Sequence, residues 1–106
     1  MIHRFKTTPV EVEAFQITKK TRMDSTDWPV WLEKAWNRDE GRVGAVFRQW
    51  HKNVEPDRLC LKAPEGVLLI DWNDWIIRGE DKQLYLCKPN IFETLYEPVK
   101  RKRNEE

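Results

Sequence analysis

Glycine is scarce in this chain, with four among 106 residues, at Gly41, Gly44, Gly66 and Gly79. So few, so placed, cannot build a phosphate-binding P-loop or a dinucleotide fingerprint, both of which need several glycines at short fixed spacing. Cysteine is scarcer, at Cys60 and Cys87 alone. With the isolated His3 and His51 they match no zinc spacing, and no metal is expected. Nothing in the spacing brings either thiol to a histidine base, as nucleophilic catalysis requires. No enzyme and no cofactor are therefore expected. No stretch nears the roughly 20 apolar residues of a membrane span, and no long apolar run follows the first residues as a secretory signal would. A cytoplasmic, reducing location without a disulfide is the expectation. Charge of one sign is also missing, since 19 basic residues face 18 acidic ones. Bulk attraction to nucleic acid or to an anionic membrane is not indicated.

Aromatic residues are plentiful, with six tryptophans and four phenylalanines. Disordered chains are poor in such residues, so a folded domain is expected. Its length suits one core that buries roughly 60–70% of the unfolded surface. We read residues 1–99 as a single α+β domain. Residues 100–106 read as a charged, frayed tail, in which Lys100 to Arg103 are basic and Glu105 and Glu106 offset them.

The pattern along the chain predicts the following elements. Val10 to Ile17 alternates as a strand, but Phe15 and Ile17 fall on the opposite parity. A bulge near Ala14 or burial of both faces would account for the slip. Asp27 to Asn37 reads as an amphipathic helix, because Trp28, Trp31, Leu32, Ala35 and Trp36 recur with a 3.6-residue period. Ser25, Thr26 or Asp27 would cap it, and Pro29 would sit in its first turn. Its tryptophan stripe would pack on a sheet or line a ligand groove. Strands follow at Val43–Trp50 and Arg58–Lys62, and the turn Ala63–Gly66 leads into Val67–Ile70, an apolar run expected to be buried on both faces. Trp72 to Asp74 turns the chain, and Trp75–Arg78 and Gln83–Cys87 form a hairpin. Asn90 and Glu93 have capping-box spacing ahead of a helical turn at 91–95. Tyr96–Val99 is a last strand or an extended end. Together these elements predict a curled antiparallel sheet, or a partly open small barrel, of about five to six strands with one helix packed on it.

Three constellations could carry function. Trp72, Asp74, Arg78, Tyr85 and Lys88 cluster in sequence around the hairpin and could frame a pocket or contact rim, since tryptophan and arginine are typical anchors. Trp50 and Lys52, with Lys100 and Arg101 in the tail, could stack on bases and touch phosphates. Asp71 and Asp74, three apart, could share a cation, although turn chemistry explains them too.

Three segments carry a resemblance. Val67 to Gly79 resembles the "GDWIIRG" core of small accessory proteins of tailed phages and prophages. Leu86 to Glu97 is similar to their "CKPDIFExTYE" ending, and Lys6 to Gln16 to their "KKPVxVEAxQ" opening. Asn73 stands where that family usually has glycine, and asparagine is the residue that best replaces it at positive φ. The resemblance implies a non-enzymatic protein of an infected or lysogenic bacterial host, one that binds and modulates a host protein, as in anti-defence. Binding of a small nucleotide and binding of nucleic acid are the alternatives. A homodimer is a further expectation if an apolar sheet edge is left unpaired.

Overall fold

In a computed structural model of the chain, residues 11–98 are described. Residues 100–106, expected as a charged, frayed tail and including Lys100 and Arg101, lie outside them, as do His3, Val10 and Val99.

The described residues form an α+β arrangement of six strands and three α-helices. The strands are β1 (Glu13–Gln16), β2 (Val46–Arg48), β3 (Leu59–Ala63), β4 (Gly66–Ile70), β5 (Trp75–Arg78) and β6 (Leu84–Cys87). The helices are α1 (Lys19–Met23), α2 (Val30–Trp36) and α3 (Pro89–Leu95). The strands divide into two antiparallel sheets, ordered β1-β5-β6 and β2-β3-β4, and do not close into a barrel. The break falls at Asp71–Asp74, which carries the chain from an edge of one sheet to the centre of the other.

Alternation sets the faces. In the first sheet Phe15, Ile76 and Leu86 share a row, as do Glu13, Arg78 and Leu84. In the second, Val46, Leu61 and Leu68 share one, and Leu59 and Ile70 another. The core forms where these apolar rows meet α2, through Leu32, Ala35 and Trp28. Each fully buried leucine or isoleucine there contributes about 1.5–3 kcal/mol by leaving water. On its other face the second sheet buries a smaller cluster of Ala45, Phe47 and Cys60. On the other face of the first sheet, Trp75 stacks on Phe92 of α3 at 4.1 Å, and Phe92 on Tyr96 at 5.0 Å.

Several expectations shift. The β1 register runs without interruption from Glu13↔Arg78 to Gln16↔Trp75. No bulge is needed: Phe15 packs on the core while Ala14 and Gln16 are half-buried on the other side. The polar segment after Thr18 is a helix, α1, closed by a reciprocal capping box between Thr18 and Thr21. The helix expected from Asp27 is broken. Ser25–Asp27 is a 3-10 turn capped by Asp24, Trp28 and Pro29 are extended, and α2 begins at Val30. The cause is Pro29, whose ring excludes helical geometry from the residue before it. The tryptophan stripe divides as well: Trp28 is buried, Trp31 half-buried and Trp36 largely exposed.

β4 is not buried on both faces, because Val67 and Leu69 are 51% and 36% exposed. It is an outer strand of its sheet among the described residues, and Val67 and Leu69 stand on the face away from the main core. α3 starts at Pro89, with Lys88 at the N-cap position and no side-chain cap, so the Asn90–Glu93 box does not form. Proline suits the first helical position, where its missing N–H costs nothing, and it moves the start ahead of Asn90. Tyr96 is extended and forms no strand among the described residues.

Candidate functional site

The hairpin residues singled out from sequence separate into two regions. At the base of the hairpin, the 71–74 turn is pinned from both sides. Asn73 adopts φ 76°, and its N–H donates to the Ile17 carbonyl at 2.6 Å. The Gln16 amide donates to the Asn73 carbonyl at 3.0 Å, and the Ile17 N–H to that of Asp74 at 2.9 Å. Asp74 is 1% exposed, and its Oδ2 accepts the Asp71 N–H at 2.9 Å and Lys88 Nζ at 3.2 Å. Oδ1 has no hydrogen-bond partner among the described residues. Lys88 also reaches Asp71 at 2.5 Å, and Arg58 pairs with the other oxygen of Asp71. Lys88 thus occupies the place a cation shared by Asp71 and Asp74 would take, and no cluster suited to a metal is found among the described residues. Trp72 is held over this network: its Nε1 donates to Glu55 at 3.0 Å, and Arg58 lies 5.7 Å from its ring. Apart from Asp74 Oδ1, these groups satisfy one another among the described residues.

The Lys88 ammonium beside Asp71 holds the Asp71 carboxyl below its usual range, and Asp71 in turn raises Lys88. Burial, then the Asp74 charge, pushes the Cys87 thiol up, so it is a poor nucleophile at neutral pH. The signs fix a pH window. A carboxyl depressed on folding stabilises the fold above its unfolded value, about 4, and loses that effect as pH falls through the lower folded value. Lys88, raised on folding, contributes fully below its unfolded value, about 10.4, and loses its contribution as pH rises through the folded one. The stability difference between the protein and Asp71→Asn should therefore be largest between about pH 5 and 9 and shrink toward pH 2–3. Urea denaturation across that range measures it.

At the far end of the hairpin lies the second region. Tyr85 donates to Asp81, and this contact raises the Tyr85 hydroxyl and lowers the Asp81 carboxyl. Both rest on Gly79, where a Cβ would come within 3.0 Å of each side chain. Tyr85 also borders a small depression between the sheets, with Leu61, Leu68 and Leu86.

Arg78 faces elsewhere. It lines an open pocket of about 430 Å³ between α2 and the β5–β6 turn. Trp31 and Lys34 enter the pocket from α2, Arg38 from the turn just after it, and Lys82 from the β5–β6 turn. Val43, Gly44 and Leu84 complete the walls. No carboxylate, thiol or imidazole lines it, and none of its four cations is ion-paired among the described residues. Arg38 donates to the Val43 carbonyl at 3.4 Å. Lys82 has φ 65°, a conformation that favours glycine. Arg78 and Lys82 also border a second depression, on which Glu11, Glu13 and Glu80 lie.

Sequence reading found Arg78 here but missed Lys34, Arg38 and Lys82. The signal available was Trp31 and Lys34 at i and i+3 on one helical face, with Arg38 just past the helix end. Of the residues proposed for nucleic-acid contact, Trp50 and Lys52 share one loop, and Lys100 and Arg101 lie outside the described residues. Trp50 is 70% exposed and stacks on His51 at 4.4 Å, on a loop stapled by Gln49 to the carbonyls of Val54 and Glu55. Lys52 is exposed on that loop, but Arg48 turns to the Pro56 carbonyl and Arg58 to Asp71. Comparisons with protein-family models, curated proteins and solved structures returned no match.

Proposed function

We propose that this chain is a non-enzymatic binding module that takes a small phosphate-bearing ligand in the pocket between α2 and the β5–β6 turn. The observation that carries this reading is the charge of that pocket: among the described residues, Lys34, Arg38, Arg78 and Lys82 line it, and no carboxylate does. Charge-assisted hydrogen bonds from such groups to phosphate are shorter and roughly twice as strong as neutral ones. The lining offers no nucleophile or general base, which favours capture over turnover. The resemblance of Val67–Gly79 and Leu86–Glu97 to phage accessory proteins supports a role in the cytoplasm of an infected or lysogenic host, where sequestering a ligand would serve anti-defence.

Titration calorimetry with pyrophosphate tests the reading. One-to-one binding that weakens as salt rises is expected, because the attraction is electrostatic. No heat at low ionic strength, at protein concentrations near 0.1 mM on the order of magnitude that detects weak sites, would refute it.

A second reading keeps a host protein as the partner. It is favoured by β4, an outer strand whose edge is unpaired among the described residues and whose exposed Val67 and Leu69 stand on one face beside it. Such edges accept an added strand from another chain. A pull-down from host lysate with wild type and Val67→Lys would test it, and equal recovery by both would remove β4 from consideration. A symmetric dimer through the same edge would instead show as a doubled mass in light scattering.

A further inference from the structure

We infer that the ligand of this pocket is a nucleoside di- or triphosphate, with its base against Trp31 and its phosphates among Arg38, Arg78 and Lys82. The inference rests on the phosphate-binding reading above and goes further by assigning both halves of the ligand.

Charge sets the number of phosphates. Among the described residues, four cationic side chains and no carboxylate line the pocket, while Glu11, Glu13 and Glu80 lie on the adjoining depression that Arg78 and Lys82 also border. A single phosphate, at most doubly charged, would leave about half of that charge unmet, whereas a di- or triphosphate chain carries three to four negative charges near neutral pH. Shape sets the rest. A volume of about 430 Å³ lies within the range of roughly 300–1,000 Å³ typical of small-molecule sites, and a bare phosphate would leave most of it unfilled. The remaining wall is apolar, with Trp31, Val43 and Leu84.

Trp31 is suited to a base. It is half-buried, with one part of the indole packed on the core and the rest facing the pocket. Unlike Trp28 and Trp36, which meet edge to face, and Trp50 and Trp75, which stack, it packs on no other ring among the described residues. Any base can stack on an indole face, so the pocket selects for an aromatic ring before it selects for its identity.

Lys82 adds an independent indication. A lysine at φ 65° occupies a turn position where glycine is less strained. Strain of this kind persists where the side chain is used, and this side chain lines the pocket.

Calorimetry with ADP, GDP, CDP and UDP, each compared with pyrophosphate, tests the inference. At least one nucleotide should bind roughly tenfold more tightly than pyrophosphate, the range expected for one stacked base. Trp31→Leu should abolish that margin while keeping pyrophosphate affinity, and Trp31→Tyr should retain most of it. If all four nucleotides bind no better than pyrophosphate, the base assignment is wrong and the phosphate pocket stands. If neither pyrophosphate nor any nucleotide binds, both fall. A margin that survives Trp31→Leu would also overturn the role of Trp31. Should Trp31→Leu not fold, the wild-type panel and Trp31→Tyr decide the matter.

Discussion

Asp74→Ala is expected to lower the unfolding free energy by about 2–3 kcal/mol, the value of charge-assisted hydrogen bonds lost from a buried carboxylate. Two bonds disappear, from the Asp71 N–H and from Lys88. The Asp71 amide is then left without its partner at a turn that joins the two sheets. Two effects limit the loss. Lys88 is half exposed and keeps its bond to Asp71, so no charge is stranded. Oδ1 has no partner among the described residues, so its removal also relieves a buried polar atom. Asp74→Asn keeps the acceptor for the Asp71 N–H and should cost only about 1 kcal/mol, the scale of a single weakened hydrogen bond. Urea denaturation of the three proteins gives both numbers. Equal losses for alanine and asparagine would mean that the charge of Asp74, rather than its acceptor geometry, sustains the turn.

Reversing two pocket charges, in the double variant Lys34→Glu and Arg38→Glu, should weaken pyrophosphate binding by at least about a hundredfold. Each replacement changes the local charge by two. A pair of unit charges 4 Å apart near a protein surface interacts by between about 1 kcal/mol, at bulk-water screening, and about 4 kcal/mol. Even the lower limit, applied twice for attraction lost and repulsion gained, reaches two to three decades in affinity. The fold should hardly change, because both side chains are exposed and neither forms an ion pair among the described residues. Stability within about 0.5 kcal/mol of wild type is the surface norm. A thermal melt checks the fold and calorimetry the affinity. An affinity loss under threefold would place the anion elsewhere.

How much was legible in the sequence depended on the range of the interaction. Trp75–Arg78 and Leu84–Cys87 were readable because alternation and the Gly79 turn are local. Leu32 and Ala35 were readable as a buried helical stripe for the same reason. The start of α2 was misplaced where two local signals competed: the helical period runs through Trp28, but Pro29 forbids helical geometry there. The apolar run Val67–Ile70 says nothing of its place at the edge of a sheet, so the exposure of Val67 and Leu69 could not be inferred. Asp71–Trp75 read as a turn within one continuous sheet, and it proved to be the junction between two. The cationic pocket was the least accessible. Lys34 on α2 and Arg38 just past its end look like ordinary surface cations. Only the packing of α2 beside the β5–β6 turn brings Arg78 and Lys82 to them, forty or more positions later.

Lys82 sets two selective pressures against each other. The β5–β6 turn would relax with glycine at this position, since only glycine enters that backbone region without steric cost. The same replacement would take one of four cations from the pocket. Selection for thermal survival alone would thus drift toward glycine at position 82, and selection for capture of an anion would hold lysine. The side chain that persists there in natural variants records which pressure has prevailed, independently of any binding measurement.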